Sequence, residues 1–177
     1  MVPIGTPAPD FTLASIDGHS VGLGDFADAP ALLVAFLCNH CPYVKHIERT
    51  FGAVVAEFPE LAVVGICTND AGSHPDDGPG GLRAQRERAG WAFPYLVDEA
   101  QDVGKAYRAA CTPDFFLYDA ARTLAYRGAL DGSTPGNQVP LTGELLREAI
   151  TRVLAGQPVP EPHRPSLGCS IKWRATT

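Results

Sequence analysis

Two continuous apolar runs flank a segment with helical periodicity, and this arrangement restricts the fold more than any other feature of the sequence. The runs are residues 31–37 (ALLVAFL) and 61–67 (LAVVGIC), and each suits a strand buried on both faces. Between them, apolar residues recur every three or four positions, which gives one apolar stripe on a helix: Val44, Ile47, Phe51, Val54, Val55 and Phe58. A strand–helix–strand unit of this kind predicts strands that share a sheet.

The rest of the chain continues the alternation. A loop rich in glycine and proline follows at 68–81, and Thr142 is a suitable N-cap for the last helix. We predict a hairpin in 11–23, a short helix at 82–89, a strand at 95–98, a helix in 99–110, a second hairpin from 114–119 and 123–130, and a closing helix at 145–154. This order predicts an α/β fold with a central mixed, mostly parallel sheet flanked by helices.

Length and composition fit one domain with an appendage. The chain has 177 residues, of which 45% are hydrophobic and 19% charged, as in an ordinary globular protein. Residues 156–177 contain four prolines and no apolar period. We therefore expect one domain over residues 1–155, and a C-terminal tail over 156–177 that packs on it or near it.

Charge and hydropathy exclude several classes of partner. The formal net charge is −6, so the chain lacks the basic surface that nucleic acids or anionic membranes attract. No apolar run approaches the roughly 20 residues of a membrane span. The N-terminus has no positively charged region before an apolar one, which predicts no signal peptide and a cytoplasmic location. In a reducing compartment, the five cysteines are expected to be catalytic, metal-binding or buried.

The pair Cys38 and Cys41 lies where the first buried strand ends and the helix begins. A helix N-terminus stabilises anions and can lower a thiol pKa from about 8.5 to roughly 3.5–7.5. A C-x-x-C pair in this setting predicts a redox centre. We expect Cys38 to be the attacking thiol, because it lies near the helix start and solvent. Cys41, one turn inside the helix, is expected to resolve the mixed disulfide. A protonated His40 would favour the thiolate further.

Three segments carry a resemblance to a known family. Residues 6–26 (TPAPDFTLASIDGHSVGLGDF) resemble the N-terminal hairpin of the alkyl hydroperoxide reductase/thiol-specific antioxidant branch of the thioredoxin-like superfamily. Residues 111–119 (CTPDFFLYD) resemble that superfamily's loop with a cis-proline before a strand. The segment FLCNHCPYVKH, with GCSIKW near the C-terminus, resembles a peroxiredoxin-like subgroup that carries C-x-x-C. The resemblance covers nearly the whole chain and implies a thioredoxin fold.

The resemblance implies a site and an activity. The Thr112–Pro113 bond is expected to be cis, with Thr112 facing the cysteine pair and its backbone edge open to a substrate's extended chain. The residues expected to shape the substrate site are Asn39, His40, Pro42, Thr112 and Pro113. The implied activity is thiol–disulfide exchange without a prosthetic group. The implied partners are a protein or small-molecule thiol or disulfide and an external dithiol reductant.

A thiol-dependent peroxidase is the main alternative. When the chain is aligned with peroxiredoxins, Cys41 occupies the peroxidatic position and Cys38 replaces a threonine. Thr112 and Pro113 stand about where an arginine is expected. The groups that hold peroxide are therefore missing, which favours exchange over peroxidase chemistry.

Metal binding is a further alternative, since Cys38, His40, Cys41 and His46 could bind copper or zinc. A structural zinc site usually needs a second distant ligand pair, and the sequence has none. His46 lies within the predicted helix and is expected to face solvent. We therefore predict no metal site.

We expect different roles for the other three cysteines. Cys67 ends the second buried strand and is expected to be an inert core thiol. Cys111 and Cys169 are possible additional redox thiols. We expect the tail to return to the active site and to be anchored by Trp173. The charged runs 76–77 (DD) and 86–89 (RERA) are expected to be ordinary surface.

Overall fold

A computed structural model describes residues 1–175 and contains nine strands and four helices in that part of the chain. The strands are β1 Thr12–Ser15, β2 Ser20–Gly22, β3 Leu32–Phe36, β4 Ala62–Cys67, β5 Tyr95–Val97, β6 Cys111–Thr112, β7 Asp114–Tyr118, β8 Leu124–Gly128 and β9 Cys169–Ser170. The helices are α1 Pro42–Ala56, α2 Pro79–Ala89, α3 Asp102–Ala106 and α4 Glu144–Leu154. Short 3-10 turns occupy Leu23–Phe26 and Pro75–Asp77.

Seven strands form one mixed sheet in the order β2-β1-β5-β4-β3-β7-β8. Its centre is parallel, because β4 pairs in parallel with both β3 and β5. The outer pairings are antiparallel, including that of β3 with β7. The expected α/β architecture is confirmed, but parallel pairing is confined to the centre because the two hairpins supply both outer parts of the sheet.

Helices and loops cover both faces of this sheet. On β3, Leu33 and Ala35 belong to a core cluster that includes the buried stripes of α1, α2 and α4. Leu32, Val34 and Phe36 alternate to the opposite face, which Tyr107 and the N-terminal hairpin cover. A strand covered on both faces must be apolar throughout, which explains the unbroken run in the sequence. No helix among residues 1–175 is long and apolar enough to cross a membrane.

Helix α1 starts at Pro42, four residues after Cys38. Its N-cap is Cys41, and Pro42 is its first residue, a position that suits proline because no helical partner exists for an N–H there. The predicted stripe is confirmed, since Val44, Ile47 and Phe51 are buried on it. The expectation that Cys38 is nearer the helix start, with Cys41 one turn inside, is wrong.

The other helices differ from expectation mainly at their ends. Helix α2 ends as predicted, with Gly90 left-handed at φ 70°. Helix α3 is only five residues long, because the chain turns to enter β6 soon after it. Helix α4 is capped by Gly143 at φ 71°, and not by Thr142. A Cβ at Gly143 would lie 2.5 Å from Val54 Cγ2, so the close approach of α4 to α1 requires glycine there.

The C-terminal segment returns to the domain. Strand β9 pairs antiparallel with β6, which places Thr112 opposite Cys169. Its apolar anchor is Ile171, which is 5% exposed, whereas Trp173 is 42% exposed. The expected anchoring role of Trp173 is therefore wrong. Residues 176–177 of the predicted tail lie outside the described residues.

Candidate active site

Two cysteines and a cis peptide meet at the carboxyl end of β3. The Thr112–Pro113 peptide is cis, as the resemblance implies. Thr112 faces both cysteines: its hydroxyl lies 3.2 Å from the Cys38 sulfur, and its carbonyl oxygen lies 3.3 Å from the Cys41 sulfur. Both thiols are buried. In α/β folds, ligands usually bind at the carboxyl ends of the parallel strands, and this pair lies at such an end.

The two thiols have opposite acid–base character. A hydrogen bond from the Cys38 thiol lowers the pKa of Cys41 to about 4, with smaller contributions from Cys169 and the backbone N–H of Val44. Sharing that proton, together with burial, raises the pKa of Cys38 above its usual range. Since Cys41 also caps α1, the helix end stabilises its thiolate. The geometry thus makes Cys41 the more acidic thiol, contrary to the expectation from sequence.

A third sulfur lies against the pair. Cys169 Sγ is 2.6 Å from Cys41 Sγ, both cysteines are free thiols, and Cys169 is partly exposed. Burial and the contact with Cys41 raise the pKa of Cys169 to about 11. Three of the chain's five cysteines therefore form one cluster, in which only Cys169 reaches solvent.

A buried carboxylate holds the loop between β3 and α1. Asp77 Oδ1 accepts hydrogen bonds from the backbone N–H groups of Asn39 (2.7 Å) and His40 (3.1 Å). Its Oδ2 lies 2.5 Å from His40 Nδ1 and accepts a bond from Asn69 Nδ2 at 3.0 Å. The expectation that the DD run is ordinary surface is wrong for Asp77, which is 1% exposed. No periodic pattern in the sequence marks Asp77, because it lies in a polar loop.

The side chain of Asn39 links the same loop to α2. Its amide donates to the carbonyl oxygens of Asp76 and Gly81, both at 3.1 Å, and its Oδ1 accepts from Arg88 at 2.9 Å. Arg88 also pairs with the buried Glu48, so the RERA run is not only surface. In addition, the buried Gln85 donates to the carbonyl oxygen of Cys38 at 2.8 Å. Neither Gln85 nor Arg88 was expected at the site.

The remaining histidine and cysteine candidates lie apart from this cluster's chemistry. His46 is partly buried, and its Nε2 lies 2.8 Å from Ser133 Oγ, so the expectation that it faces solvent is wrong. Cys67 is buried as expected, and burial raises its pKa. Cys111 lies on β6 next to Thr112, and burial raises its pKa to about 12. Pro42 is exposed at the start of α1.

One group of possible metal ligands occurs among the described residues. Ligand atoms of Cys38, His40 and Asp77 lie within 4.8 Å of one another. This group differs from the predicted one, since it lacks Cys41 and His46 and includes Asp77. Both carboxylate oxygens of Asp77 already accept hydrogen bonds from protein groups. The geometry therefore suits a hydrogen-bonded loop anchor better than a ligand sphere.

The sheet order, the cysteines before α1 and the facing cis-proline define a protein with a thioredoxin fold. The chain belongs to the AhpC/TSA family, whose model matches residues 4–127. A search of curated proteins found no match.

Solved structures agree with this assignment. A hypothetical protein from Sinorhizobium meliloti has 44% identity and a TM-score of 0.97, with 99% of this chain and 97% of that chain covered. An uncharacterized conserved protein from Geobacillus kaustophilus has 44% identity and a TM-score of 0.96, with 100% and 95% covered. A secreted disulfide oxidoreductase from Mycobacterium tuberculosis has 18% identity and a TM-score of 0.63, with 80% and 94% covered, and this likeness concerns the fold alone.

Proposed function

We propose that this protein is a thiol–disulfide oxidoreductase whose redox couple is Cys41 and Cys38. Cys41 is the attacking thiolate and Cys38 is the resolving thiol, the reverse of the assignment expected from sequence. Its partners are thiols or disulfides, an external dithiol restores the reduced state, and no prosthetic group takes part. A cytoplasmic location stays a prediction.

The reaction follows ordinary disulfide exchange. The Cys41 thiolate attacks one sulfur of a disulfide, which forms a mixed disulfide and releases the first product thiolate. Cys38 then gives up its proton and attacks Cys41 Sγ. The Cys38–Cys41 bond forms, the second product thiolate leaves, and two electrons have passed from the protein to the substrate. An external dithiol reverses these steps on the protein.

The single observation that carries this proposal is the pair of buried thiols before α1, of which Cys41 caps the helix and both contact Thr112. The Cys38 thiol stabilises the Cys41 thiolate and is positioned to attack it once Cys41 carries a partner sulfur. The Thr112 oxygens contact both sulfurs, so the pair is held in one orientation. A stabilised thiolate also leaves more readily when the disulfide is reduced.

A thiol-dependent peroxidase is the second candidate, and one observation favours it. The most acidic thiol is Cys41, which holds the peroxidatic position in the resemblance to peroxiredoxins. However, no arginine among the described residues donates a hydrogen bond to this sulfur. Arg127, on the late strand β8, is paired instead with His163 at 2.9 Å and Glu161 at 3.1 Å. Little is therefore available to orient peroxide or to stabilise the departing oxygen.

The roles of the two thiols can be tested by trapping. Cys169 is first replaced by serine, because its sulfur could resolve an intermediate in place of Cys38. In this background, Cys38→Ser is expected to accumulate a stable mixed disulfide on Cys41 when treated with a small aromatic disulfide. Cys41→Ser is expected to react at least about a hundredfold more slowly. Peptide mapping locates the adduct. Equal adduct formation on Cys38 in the Cys41→Ser variant would refute the assigned roles.

A further inference from the structure

The C-terminal segment occupies the edge that a substrate peptide would otherwise use. Strand β9 pairs with β6, with Cys169 opposite Thr112 and Ser170 opposite Cys111. Gly168 packs so closely that an added Cβ would lie 2.0 Å from the Thr112 carbonyl oxygen. The backbone of Thr112 is therefore covered by the chain's own strand.

Anchors on both sides of β9 hold it in this place. On the N-terminal side, Ser166 Oγ donates to the Gly128 carbonyl oxygen at 2.6 Å. On the C-terminal side, the Lys172 N–H donates to Asn69 Oδ1 at 2.8 Å, and the Lys172 carbonyl oxygen accepts from Gln101 Nε2 at 2.9 Å. The buried side chain of Ile171 adds apolar contact between these anchors. Cys169 is thus a fixed part of the site and not the end of a loose tail.

Burial separates the three sulfurs into an outer one and an inner pair. Cys38 and Cys41 are fully buried, whereas Cys169 is partly exposed. A thiolate in solution can attack only a sulfur that it can reach along the axis of the disulfide bond. In a Cys38–Cys41 disulfide both sulfurs are buried, but in a Cys41–Cys169 disulfide one sulfur faces solvent.

We propose that Cys169 is a third catalytic thiol, through which small thiols in solution reduce the buried Cys38–Cys41 disulfide. The inference rests on the proposed function and extends it to the class of substrate. Small molecules are favoured over extended protein segments because β9 already fills the edge of β6.

External thiols reduce the protein's disulfide through a series of thiol–disulfide exchange steps at Cys169 and Cys41. An external thiolate attacks Cys169 Sγ of a Cys41–Cys169 disulfide, a mixed disulfide forms on Cys169, and Cys41 leaves as a thiolate. A second external thiolate attacks the external sulfur of that mixed disulfide and releases Cys169, so two external thiols become one disulfide. The Cys41–Cys169 disulfide arises within the protein when the Cys169 thiolate attacks Cys41 Sγ of a Cys38–Cys41 disulfide, which forms the Cys41–Cys169 bond and releases Cys38 as a thiolate that takes up a proton. The low pKa of Cys41 makes it the better leaving group in the first step.

The test compares two oxidised variants that differ in which sulfur is exposed. Oxidised Cys38→Ser can form only the Cys41–Cys169 link within the cluster, and oxidised Cys169→Ser only the Cys38–Cys41 link. Peptide mapping without reduction verifies each link. Reduced glutathione is then added, and the loss of the disulfide is followed by quenched alkylation. We expect Cys169→Ser to be reduced at least about tenfold more slowly than Cys38→Ser.

Two controls isolate the effect of exposure. Ser170→Ala changes an exposed neighbour on β9 and should react like the wild type. In denaturant the two oxidised variants should be reduced at rates within about threefold of each other, because burial is removed. If Cys169→Ser is unstable by circular dichroism, Cys169→Ala replaces it.

The outcomes separate this inference from the proposed function. Equal rates for the two folded variants, or no Cys41–Cys169 link in Cys38→Ser, would overturn the role of Cys169 and leave the Cys38–Cys41 couple intact. If no variant and not even the wild type forms a disulfide with glutathione disulfide, the proposed function itself fails, and this inference fails with it.

Discussion

Asp77 shows how strongly one residue can control the conformation of a distant loop. Its carboxylate accepts hydrogen bonds from the backbone N–H groups of Asn39 and His40. These two residues lie between the two active-site cysteines. The carboxylate also orients the His40 ring, which stacks on His74 with ring centroids 4.5 Å apart. Since buried N–H groups without acceptors are costly, this carboxylate fixes the cysteine loop in one conformation.

Replacing Asp77 should therefore destabilise the protein. Asp77→Ala leaves buried donors without an acceptor, and we expect the free energy of unfolding to fall by about 3 kcal/mol. Urea unfolding measures this change. The matched control is Asp76→Ala, whose side chain is exposed and whose effect should stay within about 0.5 kcal/mol. Similar losses for both variants would show that Asp77 does not anchor the loop.

The hydrogen bond from Cys38 should be visible in the titration of Cys41. Cys38→Ala removes the donor, so the pKa of Cys41 should rise by about 1 or more, while Cys38→Ser keeps a hydroxyl donor and should give a smaller rise. The ultraviolet absorbance of the thiolate reports this titration below neutral pH, because burial raises the pKa of Cys67 and Cys111. An unchanged pKa in Cys38→Ala would contradict the assigned hydrogen bond.

At the scale of elements, the pairing of β6 with β9 is the feature that brings the third sulfur to the site. This pairing is only two residues long, so its position depends on the close fit of the neighbouring backbone at Gly168. The contact is with a carbonyl oxygen of Thr112, which cannot rotate away as a side chain could.

Gly168→Ala should weaken the β6–β9 pairing. The added methyl group must move β9 away from Thr112, at a cost of about 1–3 kcal/mol, and Cys169 should move away from Cys41 with it. We expect the yield of the Cys41–Cys169 disulfide in a Cys38→Ser background to fall severalfold, as measured by peptide mapping. Gly24→Ala is the control, since nothing lies within 4 Å of its Cβ position. A yield equal to that of the control would contradict the close fit.

The elements also show what the sequence can predict. The apolar runs and the helical stripe correctly predicted β3, β4 and α1, because burial on one or two faces leaves a periodic pattern. Pro42 is a further signal in the sequence, because proline suits the first turn of a helix and its position there makes Cys41 the cap. The contacts of Asp77 and Gln85 depend on long-range packing and leave no such pattern.

For the whole molecule, the pH dependence of stability should reflect the buried carboxyl group of Asp114, which lies on β7 directly after the cis-proline. Burial raises the pKa of Asp114 from 3.8 to about 6. The folded state therefore binds this proton more tightly than the unfolded chain does. Its contribution to stability is fully present below about pH 4 and is lost as the pH rises through about 6.

This dependence can be isolated with Asp114→Asn. Relative to the variant, the wild type should lose on the order of 2 kcal/mol of unfolding free energy between about pH 4 and pH 7. Chemical unfolding at a series of pH values measures the difference between the two proteins. A difference that is independent of pH would show that Asp114 has an ordinary pKa in the folded state.

The central claim is that the chain performs thiol–disulfide exchange with Cys41 as its thiolate. The most direct measurement is a rapid-mixing comparison, in which the reduced protein is mixed separately with a small disulfide and with hydrogen peroxide at neutral pH. We predict a larger second-order rate constant for the disulfide, with reaction lost in Cys41→Ser. A larger rate constant for peroxide, with a sulfenic acid on Cys41 that forms equally fast in Cys38→Ser, would contradict the claim and identify a peroxidase.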